Sequence, residues 1–483
     1  MRWSPLLFSI SLLAAGCTVG PNYRRPDAPA APAFKELVET APPPNPTGGG
    51  WKQVSPNDSA LRADWWGIYQ DPQLDKLEQQ VAVSNQTLKA SYEQYMQARA
   101  AVQYYRSQYY PTLSVSPSAS RDRQSQHRPL YVPGTKTTYN DIVLQGQVNW
   151  EPDLWGNIRR AVESQKATVQ ATAADLANAD LSLRSELATD YFELRGLDTQ
   201  QRLLDNTVKQ YEDYLSLTQI RFKGGVATDV DVAQAQTQLD QTRAQAIDVG
   251  VARAQYEHAI ATLTGVPASS FSIAFAPLDL PLPQVPVGVP SQLLERRPDV
   301  AAAERRADAA NAQIGIAIAA YYPNVNLFGS GGFESTVPTT LIQGPSALWS
   351  LGASATELLF DAGRRHALTE EARHAYEADV ANYRQTVLTA FQEVEDNLSS
   401  LRILENEEVA QQRAVTSARH SLDLSTNRYK GGVTTYLEVI TAQATQLSNE
   451  RTAADITTRQ FAASVLLVKA LGGGWDTTKL PAP

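Results

Sequence analysis

Charged and aromatic side chains recur in two nearly identical segments, where the chain concentrates groups that could act on a solute. Residues 221–228 read RFKGGVAT, and residues 428–435 read RYKGGVTT, 207 positions later. Over the sixteen positions that begin at 221 and 428, nine are identical. Arginine, tyrosine and carboxylate groups can form ion pairs and hydrogen bonds, and a charged ring at a constriction selects ions through its field. The chemistry that these segments offer is electrostatic rather than covalent.

No constellation for covalent catalysis accompanies these segments. The sequence contains no Gly-x-Ser-x-Gly elbow, no phosphate-binding glycine loop and no HExxH motif. The five histidines are scattered, and no cluster of acids or cysteines completes a metal site around His366 and His374. We therefore predict no catalytic residue, no enzyme activity and no metal.

The single cysteine, Cys17, closes a predicted export signal. Arg2 is followed by an apolar run over residues 6–15, which is too short to span a bilayer, and then by small residues and Cys17. This arrangement resembles a bacterial lipobox, in which cleavage leaves a lipidated cysteine as the first residue. An ordinary secretory peptide is the alternative. We predict a signal peptide over 1–16, lipidation of Cys17 and, because Thr18 follows rather than aspartate, delivery to the outer membrane of a Gram-negative cell.

Composition limits the remaining classes. The 483-residue chain carries a net charge of -9 with a pI near 5.3 and no basic run, which argues against a nucleic-acid partner. After the signal, no stretch approaches the 18 apolar residues of a transmembrane helix. If the mature chain crosses a membrane, it must do so as strands of a β-barrel, since only helices and closed barrels satisfy the backbone in lipid.

Each repeated segment is predicted to be the tip of a long helical hairpin. The glycine pair ends one helix, and a capping-box pattern opens the next, with Thr228 followed by Asp231 and Thr435 followed by Glu438. No proline occurs between Pro152 and Pro267, so the first long helix could extend over about 100 Å at 1.5 Å per residue.

In four other segments, apolar residues recur at every second position instead. Apolar residues alternate with serine, threonine, asparagine or glutamine over 112–122, 138–151, 324–333 and 348–359. Strands of this length can cross a bilayer at a tilt, although soluble hairpins with one face on a core would show the same pattern. Four strands cannot close a barrel, because the smallest have about eight. Membrane insertion would therefore require several subunits to share one barrel.

The chain divides into two repeats of helix, strand, strand, long helix, turn and helix. One continuous helical period is predicted from Pro72 to Tyr110, and the C-terminal tail is predicted to be loose. The predicted divisions are a lipid anchor and extended tether over 17–50, repeat 1 over 51–276 with its tip at 221–229, a proline-rich connector over 277–290, repeat 2 over 291–472 with its tip at 428–436, and a tail over 473–483.

Several motifs resemble one known family. The run CTVGPNYRRP begins at Cys17, LLERRPDV occupies 293–300, YYP occurs at 109–111 and 321–323, and KGGV occurs at both tips. Together they are similar to the outer-membrane factors of tripartite efflux pumps, the TolC-like group, in its NodT-type lipoprotein branch. The resemblance implies an α+β membrane protein: a homotrimer with a shared 12-stranded β-barrel in the outer-membrane lipid and a periplasmic α-barrel of long antiparallel helical hairpins.

The resemblance also implies partners and site residues. A periplasmic adaptor protein and an inner-membrane transporter of the resistance-nodulation-division (RND) type would join the tips, and no cofactor beyond the lipid on Cys17 is expected. By motif, the periplasmic gate residues are Arg221, Asp229, Asp231, Arg428, Tyr429 and Glu438. The residues expected to contact the adaptor are Gly224, Gly225, Gly431 and Gly432. For Asp231 and Glu438, helix capping alone is an equally good interpretation.

Three functions remain open from the sequence. The first is a passive exit duct of an efflux pump, and the second is the duct of a type I protein secretion system. The third, of a different class, is a lipid-anchored periplasmic coiled-coil scaffold without a pore. The four amphipathic strands favour a duct, because a scaffold has no use for them.

Overall fold

The structure, a computed structural model, describes residues 18–29, 33–37, 64–285 and 293–482. The predicted signal peptide and Cys17 lie outside the described residues, as does half of the predicted tether. Of the helices in the described ranges, none combines the length and the apolarity that crossing a bilayer requires.

Long helices dominate these ranges, and four strands join them. The helices are α1 (Pro72–Ser84), α2 (Gln86–Ser107), α3 (Asn157–Lys223), α4 (Asp229–Leu263), α5 (Leu293–Arg296), α6 (Pro298–Ala319), α7 (Arg364–Lys430) and α8 (Tyr436–Ala470). The strands are β1 (Thr112–Arg123), β2 (Thr138–Trp150), β3 (Asn324–Ser335) and β4 (Ala347–Thr356). Short 3-10 turns occur at Lys35–Leu37, Trp65–Tyr69, Ala268–Ser270, Pro338–Thr340, Gly344–Ser346 and Thr477–Lys479.

The two halves have the same plan, as the repeated segments predict. The order of elements in the first half is α2, β1, β2, α3 and α4, and the second half repeats it as α6, β3, β4, α7 and α8. Helices α3 and α7 each contain 67 residues, and α4 and α8 each contain 35. A 67-residue helix is about 100 Å long. Each half therefore places a strand hairpin at one end of a long helical hairpin and the repeated segment at the other.

The four strands form one antiparallel sheet in the order β1-β2-β3-β4. Their bounds lie close to the predicted ones, and the largest difference is that β4 ends at Thr356 rather than at 359. Arg365 explains this end, because its guanidinium donates to the carbonyl of Leu358 at 2.5 Å and pairs with Glu357 at 3.1 Å. These contacts hold the chain against the start of α7 instead of in the sheet.

The largest apolar core lies midway along the helices, where α1 and the turn Trp65–Tyr69 pack against α3 and α8. The Tyr69 ring lies 4.7 Å from that of Phe192, which lies 4.8 Å from Phe461. All three side chains are buried. Each aromatic side chain buries a large apolar area. Because Tyr69 and Phe192 belong to repeat 1 and Phe461 to repeat 2, this core joins the two repeats.

The helix predicted from Pro72 to Tyr110 is divided at Asn85. This residue leaves helical geometry, with φ -67° and ψ 122°, and its Oδ1 accepts from the Leu88 amide at 2.9 Å to cap α2. Its Nδ2 donates to the carbonyl of Leu263 at 2.8 Å. Asparagine competes with the helix through such side-chain bonds, and the apolar period alone did not reveal the break.

The described part of the predicted tether is docked on the helices rather than free. The Arg160 side chain is 2% exposed, and its guanidinium donates to the Val19 carbonyl at 3.1 Å and to Asn22 Oδ1 at 2.9 Å. Tyr23 donates its hydroxyl to Glu304 at 2.6 Å. Because a buried charge is costly without hydrogen-bond partners, the N-terminal segment completes the fold at this point.

The tail after residue 473 is also packed, contrary to the prediction. Trp475 and Leu480 pack against the buried cluster of Ala174, Ala301 and Ala302. Gln170 donates its side-chain amide to the carbonyl of Pro481 at 2.9 Å. Aromatic and aliphatic burial against the small side chains of α6 holds the segment in place, which residue composition alone did not predict.

Candidate functional site

The sheet has one apolar face and one polar face, because the register aligns the alternating patterns of all four strands. Cross-strand partners such as Leu113 and Val148, or Gly329 and Leu351, lie side by side on the same face. The residues on the apolar face are Leu113, Val115, Pro117 and Ala119 of β1, Ile142, Leu144, Gly146, Val148 and Trp150 of β2, Val325, Leu327, Gly329, Gly331 and Phe333 of β3, and Ala347, Trp349, Leu351, Ala353 and Ala355 of β4.

This apolar face has the height of a membrane band. It comprises six rows of cross-strand neighbours, from Ala119 and Ile142 at one end to Val325 and Ala355 at the other. Five steps of two residues correspond to about 33 Å along the strands. At a tilt of about 45° this becomes about 23 Å, close to the apolar band of about 25 Å on outer-membrane strands.

The opposite face is polar. On this face, Ser114 and Ser116 of β1 lie next to Gln147 and Gln145 of β2, whereas Ser118 lies next to Val143. An aromatic exception is Phe328, whose ring lies over Gly352 of the neighbouring strand. None of the residues of the four strands is buried, so the apolar face suits lipid and the polar face suits water.

Aromatic side chains lie where the strands join the helices. Trp150 donates its indole N–H to the carbonyl of Tyr109 at 3.0 Å. The Trp155 ring stacks on Tyr322 at 4.9 Å, and the Arg365 guanidinium lies 5.2 Å from the Tyr321 ring. A girdle of tyrosine and tryptophan is typical of a membrane–water boundary. The apolar face is thus bounded on the helix side as a membrane band would be.

At the far end of the helices, the repeated segments form two matched turns. Gly225 and Gly432 have φ of +73° and +74°, a left-handed geometry that favours glycine. Val226 donates its amide to the carbonyl of Arg221 at 2.8 Å, and Val433 donates to that of Arg428 at 3.0 Å. Both are Schellman ends. The other two glycines predicted to contact a partner, Gly224 and Gly431, are exposed in the same turns.

The interior of the tip is an aromatic cluster that joins the two hairpins. Tyr429 is 3% exposed, and its ring lies 5.2 Å from that of Tyr436. The Arg221 guanidinium lies 4.7 Å from the Tyr429 ring, and its Nη1 donates to the carbonyl of Lys430 at 3.0 Å. Burial raises the pKa of the nearby Tyr211 to about 12. Arg221 thus ties repeat 1 to repeat 2 through a cation–π contact and a hydrogen bond.

The predicted gate residues separate into two groups. Arg221 and Tyr429 contact each other, whereas Arg428, Asp229 and Glu438 are exposed to solvent. Motif reasoning had missed a second tyrosine, Tyr436. Tyr436 occupies the position in repeat 2 that Asp229 holds in repeat 1. This difference between the repeats is the feature of the sequence that could have identified Tyr436.

The two carboxylates predicted to cap helices behave differently. The Thr228 hydroxyl accepts from the Asp231 amide at 3.2 Å, and Asp231 accepts from the Thr228 amide at 2.8 Å, a complete capping box. Thr435 makes no such bond, so the capping box predicted with Glu438 is wrong.

We expect Asp231→Ala to loosen the start of α4, whereas Glu438→Ala leaves the start of α8 unchanged. Losing a cap costs about 1 kcal/mol, which corresponds to roughly fivefold faster amide exchange in the first turn of α4. Hydrogen exchange measured on both variants would provide the comparison. Equal acceleration in both first turns would contradict the difference between the two tips.

Known proteins share the sequence pattern and the geometry of this chain. The sequence profile of the family described as outer membrane efflux protein matches residues 77–266 and 289–473, which is most of the chain. The chain belongs to this family. The resemblance to the TolC-like outer-membrane factors is confirmed, and so are the fold class and the outer-membrane location. This is an efflux-channel family rather than an enzyme family.

Relatives of this efflux protein match over nearly their whole length. The pyoverdine export outer membrane protein OpmQ of Pseudomonas aeruginosa is 30% identical over 429 residues, covering 88% of this chain and 90% of the relative. The probable efflux pump outer membrane protein TtgC of Pseudomonas putida is 29% identical over 470 residues, covering 96% and 94%.

Solved channel structures share the fold. The outer-membrane channel OprN is 29% identical, with a TM-score of 0.86 over 95% of this chain and 100% of that one. The open state of the MtrE outer membrane channel of Neisseria gonorrhoeae is 26% identical, with a TM-score of 0.81 over 95% and 99%. The efflux protein described here therefore has the architecture of an outer-membrane channel.

Proposed function

We propose that three copies of this chain form the exit duct of a tripartite efflux pump of the RND type. The duct passes solutes from a periplasmic adaptor and an inner-membrane transporter to the outside. It performs no catalytic step and needs no cofactor other than a lipid on Cys17. Passage is controlled by opening and closing of the helical tips.

The amphipathic sheet with two open edges is the observation that carries this proposal. In the described residues, β1 and β4 each pair on one side only. Unpaired strand edges in lipid leave backbone groups without hydrogen bonds. Three sheets of four strands supply twelve, enough to close a barrel. The apolar face then contacts lipid, and the polar face lines the passage.

The helices support the same arrangement on the other side of the membrane. Helices α3 and α7 run about 100 Å away from the sheet and end at the tips, where Gly224, Gly225, Gly431 and Gly432 offer a small, exposed contact surface for an adaptor. The names of the relatives refer to pyoverdine export and to an efflux pump, which favours a pump over a protein secretion system. A scaffold would not need the amphipathic sheet.

Cysteine cross-linking between the two open edges tests the shared barrel. Ser116→Cys lies on β1 and Ser350→Cys on β4, both on the polar face. In outer membranes treated with a flexible bis-maleimide, we expect the double variant to give a covalent trimer that stays intact in denaturing detergent. The matched controls are the two single variants. Each has an introduced cysteine on only one of the two edges and should therefore give monomers.

The native mass of the uncross-linked protein in detergent completes the test. A trimer with edge-to-edge cross-links supports the duct. A monomer that persists on dilution, with no cross-linked species, would leave four strands with open edges and would favour the scaffold.

A further inference from the structure

The apolar face of β1 continues into two arginines at the end far from the helices. Arg121 and Arg123 follow Ala119 at steps of two, so they lie on the same face as the apolar band and just beyond its last row. Both side chains are exposed. Their cross-strand neighbours on β2 are Asn140 and Thr138, which carry no charge.

The acids nearest to these arginines, Asp122 and Asp141, lie on the opposite, polar face of the sheet. Residues 123–140 contain no aspartate or glutamate, while Arg128 and Lys136 add two further exposed cations in the loop between β1 and β2. Asp122 points to the opposite face, where it accepts from the Ser120 hydroxyl at 2.5 Å. In the described residues, neither Arg121 nor Arg123 has an ion pair.

A neighbouring subunit would not neutralise them either. In the proposed trimer, β1 pairs with β4 of the next copy, and this step of the argument rests on the proposed function. Residues 335–356, which comprise β4 and the loop before it, contain no charged side chain at all. The acid that precedes this segment, Glu334 of β3, lies opposite Val143 of β2 on the polar face. Where β1 meets β4 of the next subunit, Arg121 and Arg123 therefore remain without an ion pair at the outer rim of the membrane band.

We propose that Arg121 and Arg123 bind the phosphate groups of lipopolysaccharide in the outer leaflet. A guanidinium offers two parallel N–H donors that match a phosphate, and it is less strongly hydrated than an ammonium. The helices lie on the periplasmic side, so the loop end of the sheet faces outward, where the leaflet consists of phosphorylated glycolipid. Its phosphates lie at the upper edge of the apolar region, and its acyl chains meet Pro117 and Ala119 immediately below.

The charge pattern favours this ligand over a single phosphate. Two arginines one row apart lie about 7 Å from each other along the strand, with Arg128 and Lys136 in the adjoining loop. Such a set suits a head group with several phosphates. The opposite rim of the band instead carries the tyrosines and tryptophans near Trp150 and Tyr322, so the two membrane boundaries of the sheet are chemically different.

The test compares purified trimers for binding of deep-rough lipopolysaccharide. Arg121→Gln with Arg123→Gln removes two positive charges from the rim. Lys89→Gln with Lys209→Gln removes two from exposed positions on α2 and α3, and serves as the matched control. Native mass spectrometry in detergent counts glycolipid molecules per trimer and reports the oligomeric state in the same spectrum. We expect about tenfold weaker binding to the rim variant, no change in the control and partial retention with Arg121→Lys and Arg123→Lys.

Several results would overturn the proposal. Unchanged affinity of the rim variant would do so, as would equal binding of the same glycolipid after its phosphates are removed. Equally tight binding of phosphatidylglycerol, or full competition by inorganic phosphate at similar concentration, would show that the patch attracts anions in general. A wild-type protein that is not trimeric would refute the proposed function itself, whereas a wild-type trimer that binds the glycolipid no better than the rim variant would refute only this inference.

Discussion

Val148→Lys is expected to abolish trimers in the outer membrane, with the largest effect of any single substitution on the sheet. Val148 lies in the fourth of the six rows of the apolar face, between Leu113 and Gly329. A lysine at the middle of the lipid-facing band costs about 2–4 kcal/mol per subunit, and the cost falls toward either boundary. A trimeric barrel contains three copies of the substitution, so the total free-energy cost is three times as large.

The neighbouring residue provides the control. Gln147 lies on the polar face of the same strand, so Gln147→Lys points into the passage and should leave trimer levels unchanged. Leu144 and Leu327 lie in the second and fifth rows of the same face, so lysine at either position should reduce trimer levels less. Trimer yield from washed outer membranes measures all four variants. Equal yields for Val148→Lys and Gln147→Lys would show that the apolar face does not contact lipid.

Arg221→Ala is expected to raise the open fraction of single channels in planar bilayers by about tenfold or more. The guanidinium joins the repeats through the Tyr429 ring and the Lys430 carbonyl, and we expect opening to separate these groups. A hydrogen bond to a charged group contributes about 1.5–3 kcal/mol, and only a contact that differs between the two states can shift their equilibrium. Removing the contact should therefore favour the open state.

Arg428→Ala is the matched control at the other tip. Arg428 occupies the same position in repeat 2 but is exposed, so its removal should change the local charge without changing the open fraction. Tyr429→Ala would remove only the cation–π contact of Arg221, and it also leaves a cavity against Tyr436, so its effects on gating and on stability could not be separated. Equal open fractions for Arg221→Ala and Arg428→Ala would exclude Arg221 from the gate.

Much of the fold was predictable because its signals are local. The change from a period of 3.6 to a period of two identified the strands, and the glycine turns at Gly225 and Gly432 identified the helix ends. The capping box at Thr228 was predictable for the same reason, since the groups that form it lie within four residues. The repeat at a spacing of 207 residues then gave the architecture of both halves.

The features that the sequence did not predict depend on contacts between distant segments. The break at Asn85 is fixed by the carbonyl of Leu263, 178 positions away. The N-terminal segment is docked by Arg160, whose acceptors lie about 140 positions earlier. Burial of a charge or an amide in such a place depends on which helices approach each other, and local composition does not contain that information.

By itself, the sequence determined the type of every long element, the twofold repeat and the family, because periodicity, turn residues and motifs are properties of neighbouring positions. Only the tertiary structure decided the register that brings all four apolar patterns onto one face. It also decided that Arg221, rather than Arg428, contacts Tyr429. Successive residues of a helix point about 100° apart, so which of two neighbours faces another helix depends on how the helices are rotated against each other when they pack.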